Sequence, residues 1–120
     1  MKNFKELDVW KFAFEISKAV FRMVDTFSKE DQWTIGKQMI RAAISIPSNI
    51  AEGSSRSSEK EYNRFIEISL GSAFELETQL LIAKSTGRCN QELVDNTMTL
   101  LLRVQKMLNS FSKTLQGRRQ

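Results

Sequence analysis

Residues 33–53 read WTIGKQMIRAAISIPSNIAEG. Within them Ile35, Met39, Ala42, Ala43, Ile46 and Ile50 recur at spacings of three and four and stack on one face of an α-helix. Lys37, Arg41, Ser45, Ser48 and Glu52 fall on the opposite side. Pro47 lies inside the pattern, where it removes one backbone donor and crowds the preceding turn. The apolar register still runs from Ile46 to Ile50 without a phase jump, which predicts one helix kinked at Pro47 rather than two short ones.

The same period extends to both sides. Upstream, Val9, Phe12, Ala13, Ile16, Val20, Met23, Val24 and Phe27 share a face, Glu15 and Lys18 are placed to pair, and Asp8 suits the N-cap or first turn. The polar run Ser28-Lys29-Glu30-Asp31-Gln32 reads as the break that follows. Downstream, Gly53-Ser54-Ser55-Arg56-Ser57 is a turn, Ser58 and Glu61 form a capping box, and Gly87 supplies a C-terminal cap. Between them Tyr62, Phe65, Ile66, Leu70, Ala73, Phe74, Leu76, Leu80 and Leu81 cover about half the helix circumference. Asn90 caps a fourth helix with Leu93, Leu100, Val104, Met107, Leu108, Phe111 and Leu115 inside. The expectation is one domain, residues 1–120, with helices at about 8–27, 33–53, 58–86 and 90–116. Its class is all-α, an antiparallel up-down-up-down four-helix bundle. The apolar arcs of helices 2 and 3 are wider than an interior seam needs, so a homo-oligomer is expected.

Composition removes most catalytic chemistries. The 120 residues include no histidine and one cysteine. That excludes Ser-His and Cys-His nucleophiles, histidine metal sites, disulfide frameworks and cysteine zinc sites. No apolar run approaches the roughly 20 residues of a membrane span, and Met1-Lys2-Asn3-Phe4-Lys5 starts no signal-peptide core, so a cytoplasmic protein without a membrane partner is expected. Glu75 and Glu77 are two residues apart and point to different sides of a helix, so they form no metal pair. No metal, no cofactor and no enzymatic activity are expected. Glu77 nevertheless falls inside the apolar arc, where a carboxylate needs a hydrogen-bond or cationic partner. Asn49 falls at the edge of its apolar face and needs a similar partner. Cys89, between Arg88 and Asn90, is open to a lowered pKa but has no catalytic partner in view.

The net charge of +4 is concentrated at one end. Residues 103–120 hold Arg103, Lys106, Lys113, Arg118 and Arg119 with no acid, while the rest of the chain has 13 basic and 14 acidic residues. Such a stretch attracts nucleic acid or another polyanion; equally, cations near a helix C-terminus complement its dipole.

The nonapeptide Ser45-Ile46-Pro47-Ser48-Asn49-Ile50-Ala51-Glu52-Gly53, preceded by Arg41-Ala42-Ala43, resembles the signature of the bacterial four-helix-bundle proteins encoded in 23S ribosomal RNA intervening sequences. The match continues through Arg64-Phe65 and Gly71-Ser72-Ala73-Phe74-Glu75-Leu76-Glu77-Thr78-Gln79-Leu80. The resemblance implies a four-helix protomer assembled into a ring-like homopentamer, with an unsettled biochemical role. It also implies a likeness to retroelement accessory proteins, which bind nucleic acid and partner a reverse transcriptase through basic residues. This chain departs from the pattern in having Ile40-Arg41 where two arginines are common, and Arg88-Cys89 where an aromatic-aliphatic pair is common. The signature positions Ser45, Pro47, Asn49, Glu52, Gly53, Glu75 and Glu77 are expected to be structural. Two functions stay open. One is sequence-tolerant binding of RNA or DNA by Arg41, Arg56, Arg64 and the basic C-terminus. The other is a protein-interaction scaffold without a nucleic-acid role.

Overall fold

Helix α1 (Asp8–Asp25) buries Val9, Ala13, Ile16, Val20, Met23 and Val24, the face its period predicts. The coordinates, a computed structural model, describe residues 3–117. A 3-10 turn (Phe4–Glu6) precedes α1, and Leu7 rather than Asp8 is its N-cap. Asp8 occupies the first turn, where its charge favours the helix dipole.

The expected break after α1 is shorter than its polar composition suggests. Ser28 Oγ accepts the Asp31 N–H, so Ser28 is an N-cap and Lys29–Asp31 is already helical. A π-helix (Gln32–Gly36) follows and runs directly into α2 (Lys37–Ser54). The second helical run therefore begins at Lys29 rather than Trp33. First turns of helices are commonly polar, so a start and a break look alike in sequence. Gln32 Nε2 donates to the carbonyls of Val24 and Phe27, covering acceptors that α1 leaves at its end. Gly36 makes the close approach possible: a Cβ there would stand 2.7 Å from Val24 Cγ1.

Helix α2 passes through Pro47 as one element. Helix α3 (Glu59–Ser85) starts where Ser58 Oγ accepts the Glu61 N–H. It ends at Gly87 (φ +70°), with Arg88 N donating to Ala83 O and Gly87 N to Lys84 O. Helix α4 (Gln91–Gly117) is capped by Asn90 Oδ1, which accepts from Glu92 N and Leu93 N. These local signals act as the sequence predicts.

Each helix packs on its neighbours in sequence, and α4 closes back onto α1. The bundle measures 49 × 21 × 19 Å, with no strand among the described residues. Ile16, Met39, Ile46, Ile50, Ile66, Leu76, Leu80, Leu101 and Leu108 form its dry centre. Leu93, expected inside, is 39% exposed, and Phe74 and Leu81 are 51% and 49% exposed. They lie at the margins of arcs wider than one interior can cover. The Glu15–Lys18 pair forms as spaced, at 2.9 Å.

Candidate functional site

Ser45, Asn49 and Gly53 of the signature lie at the seam between α2 and α3. Gly53 lets the helices meet: a Cβ there would fall 2.9 Å from both Phe65 Cβ and Tyr62 Cδ1. Above it, Ser69 Oγ donates to Ile46 O (2.8 Å), and Ser45 and Ser72 share a hydroxyl–hydroxyl bond of 2.8 Å. Asn49 Nδ2 donates to both Ser45 O and Ser45 Oγ, so its polar group is satisfied within the seam. Small hydroxylated residues thus pin the register where bulkier ones would hold the helices apart.

Pro47 is buried and has no N–H for the carbonyl of Ala43 four residues back. Ser17 of α1 reaches that carbonyl, its Oγ standing 3.0 Å from Ala43 O and 3.2 Å from Ala13 O, with one hydroxyl proton serving both. Ser17→Ala should therefore cost about 1–3 kcal/mol, the usual penalty for orphaning a desolvated acceptor. In a Pro47→Ala background the restored N–H serves Ala43, and the cost of losing Ser17 should fall by about 1 kcal/mol. Urea denaturation of the four proteins measures this coupling. An equal cost in both backgrounds contradicts the account.

Glu77 is half-buried and accepts from Gln105 Nε2 of α4 at 2.8 Å, the partner its position demanded. Glu75 is exposed and receives a long contact from Gln79 Nε2 (3.5 Å). Cys89 does not gain thiolate character. Burial pushes its thiol pKa up, and the Asn90 backbone N–H offsets this only in part. No group of three metal-ligating side chains exists among the described residues, and none of their helices is long and apolar enough to cross a membrane.

The cations predicted for nucleic acid are spread out. Arg56 is held by Glu52 Oε1 at 2.9 Å and lies 4.6 Å over the Phe65 ring. Arg103 lies 4.4 Å over the Phe12 ring of α1. Arg41, Arg64, Lys106 and Lys113 are exposed and make no ion pair among the described residues. Arg41 and Arg56 are roughly 22 Å apart along the bundle at 1.5 Å per residue, too far for one patch. Arg103, Lys106 and Lys113 share the outer face of α4, whose N-terminal end carries Glu92 and Asp95. Arg118 and Arg119 lie outside the described residues.

Exposed apolar groups, by contrast, include two sets on separate edges, beside Ile68, Ile82 and Leu93 elsewhere on the surface. Along the α1–α2 edge, Trp10 stacks on Phe14 (5.1 Å), and both line a groove with Ile44 and Pro47. A second hollow between α1 and α2 is lined by Phe21, Ile40, Arg41 and Trp33, the last 74% exposed under the Lys37 ammonium. On the α3–α4 edge stand Phe74, Leu81 and Leu102. Helix neighbour order puts these two edges on opposite sides of the bundle. The surplus therefore belongs to all four helices, not to helices 2 and 3 alone. Phe14, Phe21 and Trp33 were absent from the sequence-based core and site assignments, although Phe14 and Phe21, seven residues apart, already mark a second stripe beside the core face.

The profile of the family described as 23S rRNA-intervening sequence protein matches residues 5–110. The chain belongs to this family. A crystal structure of a protein of unknown function from the S23 ribosomal protein family of Bacteroides thetaiotaomicron superposes with a TM-score of 0.81. It is 23% identical, and the alignment covers 88% of this chain and 95% of that one. That likeness is one of fold. No curated protein matches the chain. For this member of the intervening-sequence family, nothing found points to catalysis.

Proposed function

We propose that this family member is a non-enzymatic, self-assembling bundle in which the α1–α2 groove of one copy receives the α3–α4 edge of the next. The observation that carries this reading is the pair of apolar edges on opposite sides of the protomer. A contact between two different surfaces is heterologous and closes into a ring when its rotation divides the circle. Five copies are the number implied by the family resemblance. Exposed aromatic surface on this scale is costly in a monomer and useful in an interface. Light scattering should give a multiple of the 13.8 kDa chain mass. A 13.8 kDa species at tens of micromolar overturns the proposal.

A second reading, sequence-tolerant nucleic-acid binding, is favoured by the outer face of α4, where Arg103, Lys106 and Lys113 occur with no acid from 103 onward. Repetition around a ring multiplies a weak patch. Binding to duplex DNA should fall with salt by about 0.9 in log–log slope per phosphate neutralised. Lys106→Glu with Lys113→Glu should weaken it alike for unrelated sequences, in an electrophoretic or anisotropy titration. No binding of RNA or DNA at low salt leaves the protein-scaffold role alone.

A further inference from the structure

The α2–α3 face carries a cleft of about 490 Å³ between Gln38, Arg41 and Ser45 of α2 and Ser72 and Glu75 of α3, floored by Ala42, with Arg41 shared with the α1–α2 groove. We infer that this cleft is a binding site for a small zwitterion of the α-amino-acid or dipeptide class. Its volume falls in the range of small-ligand pockets.

Its walls carry one cation and one anion that are not spent on each other. Arg41 makes no ion pair among the described residues, and Glu75 receives only the 3.5 Å contact from Gln79. A guanidinium binds a carboxylate through two parallel N–H donors, and a carboxylate binds an ammonium. A dianion meets repulsion from Glu75 and a simple cation meets repulsion from Arg41. A ligand with both charges meets neither.

The floor adds a donor. Asn49 Nδ2 donates to Ser45 Oγ, and Ser45 and Ser72 share one further bond. Whichever serine donates in that bond, one hydroxyl proton of the pair is left unused. One turn beyond Glu75, Gln79 is 7% exposed and its Oε1 has no hydrogen-bond donor. The amide cannot simply be reversed, because its NH2 group serves Glu75. In the antiparallel register that pairs Ser45 with Ser72, position 79 falls opposite position 38, at the same end as the cleft. The site thus combines a cation, an anion and a spare hydroxyl proton, while Gln79 lies outside its lining.

Amide NMR spectra of the full chain titrated with glycylglycine, L-alanine, acetate or methylammonium, each to about 10 mM, test this. Saturable shifts at Arg41, Ser45, Ser72 and Glu75 are expected with glycylglycine or L-alanine, and about tenfold weaker binding of acetate and methylammonium. Arg41→Gln and Glu75→Gln, both at exposed positions, should each weaken the zwitterion about tenfold while leaving the spectrum folded. Absence of saturable shifts, an equal response to acetate, or indifference to either variant overturns the inference. The cleft lies within one protomer, and because Arg41 also lines the α1–α2 groove, repeating the titration on the Phe14→Glu variant separates this outcome from assembly.

Discussion

Phe14→Glu is expected to turn the assembly into a folded monomer. The ring is 44% exposed on α1, so its loss leaves the bundle core untouched. It lines the α1–α2 groove beside Trp10 and Ile44, the surface the proposed assembly covers. Covering half a phenylalanine contributes on the order of 2 kcal/mol at 25 cal/mol per Å². A carboxylate in the same place adds a desolvation cost even with Lys18 within reach, so association should weaken by about a hundredfold or beyond. Circular dichroism should stay unchanged while light scattering falls to the chain mass of 13.8 kDa. An unaltered oligomer removes the groove from the interface.

Gly53→Val should destabilise the protomer by about 3 kcal/mol, at the upper end of overpacking penalties. The new side chain meets Phe65 Cβ, which is fixed to its backbone and cannot swing away. Helices α2 and α3 must separate, and the Ser45–Ser72 and Ser69–Ile46 bonds lengthen with them. Gly71→Ala is the control: its Cβ meets nothing within 4 Å, and helix propensity alone should stabilise the chain by up to about 1 kcal/mol. Urea midpoints report both changes. A valine variant as stable as the parent contradicts the close seam.

What the sequence made legible was local or periodic. Ser58, Gly87 and Asn90 each cap a helix as their residue types predict, because a cap involves only neighbours in the chain. The repeat of apolar residues located the core, yet it could not say how much of a wide arc the next helix covers. Phe74 and Leu81 are therefore half exposed. Ser17 gave no sign of its role, since its acceptor at Ala43 is 26 residues away and the bond depends on how α1 meets α2. The candidate sites divide the same way. Arg41, Ser45 and Glu75 stood out through the signature, whereas their meeting with Gln38 and Ser72 follows from the register of α2 on α3. The basic C-terminal stretch was plain in the sequence, but the seat of Arg103 over the Phe12 ring of α1 was not.

The account rests on a heterologous contact, and mixing two crippled variants tests that most directly. Phe14→Glu keeps an intact α3–α4 edge, and Phe74→Glu keeps an intact α1–α2 groove. Each alone should be a monomer of 13.8 kDa by light scattering. Mixed in equal amounts, they share one sound interface and no means of propagating it. The expected product is a one-to-one pair of about 28 kDa, twice the chain mass. A mixture that stays monomeric, or a Phe74→Glu variant that assembles by itself, would show that the two edges do not bind each other.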